Sequence, residues 1–183
     1  MEIKSKFDLI KHFGKLGFKV AAEIGVAEGY FSEFMCQNIP GLKLYCVDVW
    51  KPYRGNRWSG SHERNEHHFA KACEVLSQYN TTILREMSMD AARMIPNNSL
   101  DFVYIDSNHS FDYAMEDLIT WSRKVRPGGI VCGDDYYPME KGGVVEAVDA
   151  YTKAHGIVPI FTTPDCRDRG GMEQPNYYWT KSI

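Results

Sequence analysis

The chain has no paired cysteines, no long apolar run and no surplus of basic charge, and each absence closes off a class of protein. Its five cysteines, Cys36, Cys46, Cys73, Cys132 and Cys166, are scattered, odd in number and never spaced as CxxC. That argues against a disulfide framework and a cysteine-based zinc site, and it fits a reducing compartment. No stretch approaches the ~20 apolar residues of a membrane span. The start, MEIKSKFDLI, carries charge throughout and holds no signal-peptide core. The expectation is a cytoplasmic protein with no membrane partner. A formal net charge of -3 argues against a nucleic-acid partner held on a strongly basic face. There is no internal repeat and no low-complexity segment. With 183 residues, a single domain over 1–183 is expected, long enough to bury a core without staples.

What is present is a regular alternation of helical and strand patterns. SKFDLIKHFGKLG, within 1–18, reads as an amphipathic helix, and KVAAEIGV as a first strand. EGYFSEFMCQNI is a helix, KLYCVDVW a second strand, and KPYRGNRWSG a loop in which 51–61 is a candidate lid. SHERNEHHFAKACEVLSQY is a helix with Ser61 as its N-cap. TTILREM is a third strand, MDAARMI a short helix and LDFVYID the fourth strand. SFDYAMEDLITWSRKVR is a helix started by Ser110 and ended by Pro127–Gly128–Gly129, and GIVCGDD is the fifth strand. GGVVEAVDAYTKAHG is a helix, and VPIFTT and NYYWTKS are the last two strands. Strands alternating with helices imply an α/β fold, a doubly wound sheet with helices on both faces. The loop PDCRDRGGMEQP has no room for a crossover helix, so the last pair is expected to be antiparallel. The result is a seven-stranded, mostly parallel sheet with its last strand reversed.

In such sheets ligands sit beyond the carboxyl ends of the strands, at the topological switch point. The unusual residues fall there: Glu23 and Gly25 after the first strand, Asp48 after the second, Asp106 after the fourth, Asp134 and Asp135 after the fifth. The first turn, AEIGVAEG, spaces Gly25 and Gly29 four apart and lacks the GxGxxG of a dinucleotide site. Glu23 and Glu28 would repel a pyrophosphate and suit a cationic or zwitterionic group. Asp48 is positioned to accept hydrogen bonds from ribose hydroxyls.

With these residues assembled, the sequence resembles the class I S-adenosylmethionine-dependent methyltransferases, Rossmann-like enzymes, over nearly its whole length. AEIGVAEG resembles their first motif and VDVW their second. IDSNHSFDYAMEDLITWSRKVRPGGIVCGDDYY resembles the metal-dependent, macrocin-type sugar O-methyltransferases and, more distantly, the catechol-type enzymes. The resemblance implies cofactor contacts from Glu23, Gly25, Val26 and Gly29, from Asp48, Val49 and Trp50, from Ser88 and Met89, and from Asp106. It implies a Mg²⁺ or other divalent cation on Asp106, Asp134 and Asp135, and His109 as general base. Asn108, which cannot take a proton, stands where a subgroup has an acid. In the run GluMetSerMet, Met87 stands where an acid often precedes the serine.

The chemistry of these residue types agrees. Hard cations take carboxylate oxygens, and a cation relieves the repulsion between neighbouring acids. An imidazole has a suitable intrinsic pKa for accepting a hydroxyl proton. His62, His67 and His68 read as a solvated face or a substrate-side wall and do not match HExxH. Trp50, Tyr53 and Trp58 are candidates to cover adenine or substrate, Arg54 and Arg57 to meet an anionic group, and the loop with Arg167 and Arg169 is a candidate part of the acceptor pocket. DSNH lacks the PP[YFW] of amino-type base methyltransferases. The leading expectation is Mg²⁺-dependent O-methylation of a small hydroxylated acceptor such as a sugar or polyketide glycoside. A metal-independent methyltransferase and a non-catalytic cofactor-binding protein stand as alternatives. The short segment before the first strand leaves an open site, or a site completed by a second copy in a homo-oligomer, equally available.

Overall fold

The computed structural model describes residues 3–56, 60–139, 142–164 and 174–182. Seven strands form one sheet in the order β3-β2-β1-β4-β5-β7-β6. The strands are β1 (Val20–Ile24), β2 (Lys43–Val47), β3 (Thr81–Leu84), β4 (Leu100–Ile105), β5 (Val125–Gly133), β6 (Phe161–Thr162) and β7 (Tyr177–Thr180). Strands β1 to β5 are mutually parallel, and β7 runs antiparallel to both β5 and β6. The expected doubly wound, mostly parallel sheet with a reversed last strand is the fold observed. The order reverses between β1 and β4, so the switch point lies where those two strands end.

Among the described residues, six helices cover the two faces. Strand residues alternate between them: Ala22, Ile24, Val103 and Ile105 join one core, and Ala21, Phe102 and Tyr104 the other. Helices α4 (Ser88–Arg93), α5 (Phe111–Trp121) and α6 (Val144–His155) pack on the first core through Ala92, Leu118 and Val148. Helices α1 (Lys6–Lys15), α2 (Tyr30–Asn38) and α3 (His62–Leu76) pack on the second through Phe13, Met35 and Leu76. Ser61 caps α3 as expected, its hydroxyl accepting from the Arg64 N–H at 3.1 Å.

Two local expectations are corrected. The helix expected to reach Arg126 stops at Trp121, and β5 starts at Val125, four residues before Gly129. Val125 is buried and pairs with Leu100, so it is taken by the sheet. The residues 126–129 are absorbed as a shift of register between Leu100 and Phe102. Ser110 holds the N-cap position of α5, but its side chain does not cap; its hydroxyl donates instead to Asn108 Oδ1 at 2.9 Å.

Candidate active site

A cavity of about 470 Å³ lies over the carboxyl ends of β1 to β4. Its size is that of a small-molecule site. Glu23, Gly25, Val26, Asp48, Val49, Trp50, Ser88, Met89 and Asp106 all line it. Gly29 does not: it starts α2 with φ +84, and a Cβ there would press at 3.3 Å on Ala72 and Leu76 of α3. Its role is helix packing.

The glycine turn is drawn tight against β4. Gly25 has φ +92, and a Cβ on it would lie 1.8 Å from the Asp106 carbonyl oxygen. No residue but glycine fits there without moving backbone. Asp48 anchors the turn from the next strand. One of its oxygens accepts from the Val26 and Ala27 N–H groups, each at 3.0 Å, and the other from the Trp50 N–H at 3.0 Å. A carboxylate offers about four acceptor positions, so capacity remains for a ribose hydroxyl. Trp50 is buried, packs its ring tilted against Phe69 and donates its indole N–H to the Ala27 carbonyl at 2.8 Å. It braces the cradle and does not act as a movable cover.

Glu23 points to the α2 face, fully buried, and accepts a hydrogen bond from the Ser32 hydroxyl. Burial pushes its carboxyl up to about 8; the Ser32 bond opposes that and Asp106 adds to it. Such an acid is poised to receive a cationic ammonium.

Beyond the cavity the ends of β4 and β5 meet. His109 Nε2 lies 2.9 Å from Asp135 Oδ2 and 3.6 Å from Asp106 Oδ1. Ligand atoms of Asp106, His109 and Asp135 all fall within 4.8 Å of one another. Burial disfavours charge on the imidazole, but hydrogen bonds to Asp106 and Asp135 outweigh it and carry its pKa up to about 10. Asp134 is not brought into this trio. It turns to the other side, where Lys6 of α1 reaches its Oδ2 at 2.8 Å, and its Oδ1 accepts from the Asp135 N–H at 2.9 Å. Burial and Asp106 raise the Asp134 carboxyl, while Lys6 and the Asp135 N–H oppose them. Burial works against charge on Lys6 as well, and Asp134 and Asp106 outweigh it. The sequence pattern offered no signal for Lys6, which lies 128 residues from its partner.

Backbone strain gathers at this rim. Ala27, Trp50 and Asp135 have positive φ of 49, 41 and 60, conformations that non-glycine residues hold only when their surroundings enforce them.

The loop after β2 is pinned where it is described. The Asn108 amide donates to the Gly55 carbonyl at 3.1 Å, and the Tyr113 hydroxyl to the Arg54 carbonyl at 3.0 Å. Tyr53 and Asn56 line the cavity. Of the loop residues named in sequence, Arg57, Trp58, Arg167 and Arg169 lie outside the described residues. His68 lines the cavity near Glu28, at 3.6 Å, whereas His62 is exposed and His67 does not line it. Asp117 of α5, which the sequence did not suggest, is buried in the cavity wall and accepts hydrogen bonds from Ser88 and Ser107.

A family model described as "Methyltransferase domain" matches residues 22–136, well over half of the chain. The chain belongs to that family and is a class I S-adenosylmethionine-dependent methyltransferase. No curated protein matches its sequence. The O-methyltransferase from Bacillus cereus in complex with SAH is 14% identical, with 96% of this chain and 80% of that chain covered and a TM-score of 0.69. The O-methyltransferase NovP is 18% identical over 97% and 80%, with a TM-score of 0.67. A putative rRNA-methylase from Clostridium thermocellum is 12% identical over 100% and 99%, with a TM-score of 0.71. At such identities the likeness is one of fold, and the fold alone does not choose the acceptor. Among the described residues no helix is long and apolar enough to cross a membrane.

Proposed function

We propose that this methyltransferase transfers its methyl group to a hydroxyl of a small molecule, with the acceptor bound against Asp106, His109 and Asp135. The observation that carries the reading is that Asp106 belongs both to the cofactor cavity and to the carboxylate–imidazole trio. The acceptor oxygen held by the trio would thus meet the reactive end of the cofactor. The modest net charge of -3 supports a small acceptor over nucleic acid.

The donor set fits a divalent cation. Two carboxylates suit Mg²⁺ or Mn²⁺. Asp106 and Asp135 would hold it, which leaves the His109 imidazole beside them as the base, with Asp134 kept aside by Lys6. When bound, such a cation would supply the charge that makes an acceptor hydroxyl more acidic.

The protein's own part is positional and protolytic. The Gly25 turn and Asp48 hold the cofactor's sugar, and Glu23 faces its ammonium. His109, in its neutral form, takes the hydroxyl proton as the carbon–oxygen bond forms and the carbon–sulfur bond breaks. The imidazolium, held between Asp106 and Asp135, cannot accept that proton, so the working base is the imidazole freed of it.

A second reading is supported by the same pair of contacts. Lys6 and His109 already offset part of the rim's negative charge, which suits a metal-independent methyltransferase. Turnover of S-adenosylmethionine to S-adenosylhomocysteine on a panel of sugars, glycosides and phenols, with Mg²⁺ or with EDTA, separates the two. Product that requires the cation supports the first reading. Equal product in EDTA supports the second, and no product on any hydroxyl acceptor contradicts both.

A further inference from the structure

Asp117 is a buried carboxylate that methyl transfer to a hydroxyl does not use. It stands on α5, is 3% exposed, and lines the cofactor cavity. Among the described residues it forms no ion pair. Its two oxygens accept from the Ser88 and Ser107 hydroxyls, one each. The direction of the Ser88 bond is fixed. The Trp121 indole N–H donates to Ser88 Oγ at 2.8 Å, so the serine's own hydrogen is left to point at Asp117. The Trp121 indole N–H also reaches the carboxylate, so up to three of about four acceptor positions are used. A buried anion with spare acceptor capacity and no cation is costly unless a further donor reaches it. The cavity is the side from which that donor can come.

Two buried acids therefore face one cavity from opposite faces of the sheet. Glu23 is on the α2 side, on β1 beside the turn that abuts Asp106. Asp117 is on the α5 side and bonds to Ser88, which follows β3, two strands further along. S-adenosylmethionine carries N–H donors at both of its ends: the ammonium of the methionine portion and the exocyclic amine of adenine, with the ribose between. The sulfonium adjoins the methionine portion and has to stay near Asp106 and the acceptor. That assigns the ammonium to Glu23, the ribose to Asp48 on β2, and the adenine to the β3 side.

We infer that Asp117, oriented by Ser88, Ser107 and Trp121, is the group that recognises the exocyclic amine of the cofactor's adenine. The inference rests on the S-adenosylmethionine reading of the cavity. It makes Asp117 a determinant of cofactor specificity, one that discriminates by leaving its charge unsatisfied when the amine is missing.

The test compares calorimetric dissociation constants of S-adenosylhomocysteine and its 6-deamino purine analogue, on the full chain and on Asp117→Asn and Ser88→Ala. The wild type should prefer the amine by roughly tenfold or more, the size of one hydrogen bond to a charged group. Asp117→Asn should reduce that preference to a few-fold, with Ser88→Ala in between. Equal binding of the two ligands by the wild type would overturn the inference without any variant. So would a preference that survives intact in Asp117→Asn. Failure of the wild type to bind either ligand would instead remove the S-adenosylmethionine reading, and the inference with it.

Discussion

The two halves of the strand-end rim are stabilised by different means. The β1–β2 half is made of backbone: a glycine turn, and N–H groups of Val26, Ala27 and Trp50 gathered on the Asp48 carboxylate. The β4–β5 half is made of side-chain charge: three aspartates held beside two cationic groups, Lys6 and His109. A backbone cradle is preorganised and barely responds to pH or ions. A charge cluster responds to both, because its geometry depends on which groups are ionised. The division suits an enzyme that binds one fixed cofactor and has to deprotonate an acceptor beside it.

The sharpest way to break the backbone half is Gly25→Ala. With φ +92 and a carbonyl oxygen 1.8 Å from the new Cβ, β1 and β4 must separate. A loss of about 4 kcal/mol or more is expected in urea unfolding. Gly17→Ala, also at positive φ but with nothing within 4 Å, should cost only about 1 kcal/mol. Similar losses at both sites would refute the tight turn.

The next largest effect concerns Glu23, the fully buried acid beside the backbone half. Its carboxyl ionises near the ordinary 4.5 in the unfolded chain and at about 8 in the fold. Between those values the native state keeps a proton that the unfolded state has lost. Stability should therefore be highest at low pH within this window and fall by a few kcal/mol as pH rises toward 8. Glu23→Gln should flatten that slope in denaturation curves at pH 5, 6.5 and 8, and a slope unchanged by the substitution would assign it to other groups.

In the charged half, His109→Ala should lower kcat by about a hundredfold or more, while the dissociation constant of S-adenosylhomocysteine stays within a few-fold. A matching loss of cofactor affinity would make His109 structural. Lys6→Met should give the smallest change, about 2 kcal/mol in stability, since Lys6 is partly exposed while Asp134 is buried. It should also tighten Mn²⁺ binding in a spectroscopic titration, because the rim loses a positive charge. Weaker Mn²⁺ binding would mean that Lys6 supports the cation site.

The same division explains what could be read in the sequence. The strand alternation, the reversed β7 and the glycine turn with Asp48 were legible because they are set by local spacing and by one crossover between neighbouring strands. Position within the rim was not. Gly29 looks like part of the turn, yet its φ and the closeness of Ala72 tie it to helix packing. Asp134 and Asp135 are adjacent, and which of them turns toward His109 depends on Lys6, 128 residues from Asp134. The run Pro127–Gly128–Gly129 reads as a helix stop but lies inside β5, because Val125 is claimed by Leu100. Asp117 falls in an amphipathic helix as one more polar residue, and its burial is visible only once α4 and α5 pack together.

The backbone half needs no metal ion to bind the cofactor. Calorimetric titration of S-adenosylhomocysteine into the protein in EDTA tests it most directly, repeated with Mg²⁺ in place of EDTA. One-to-one binding is expected in EDTA, with an affinity that Mg²⁺ leaves within a few-fold. Binding that appears only with Mg²⁺, or not at all, would contradict it.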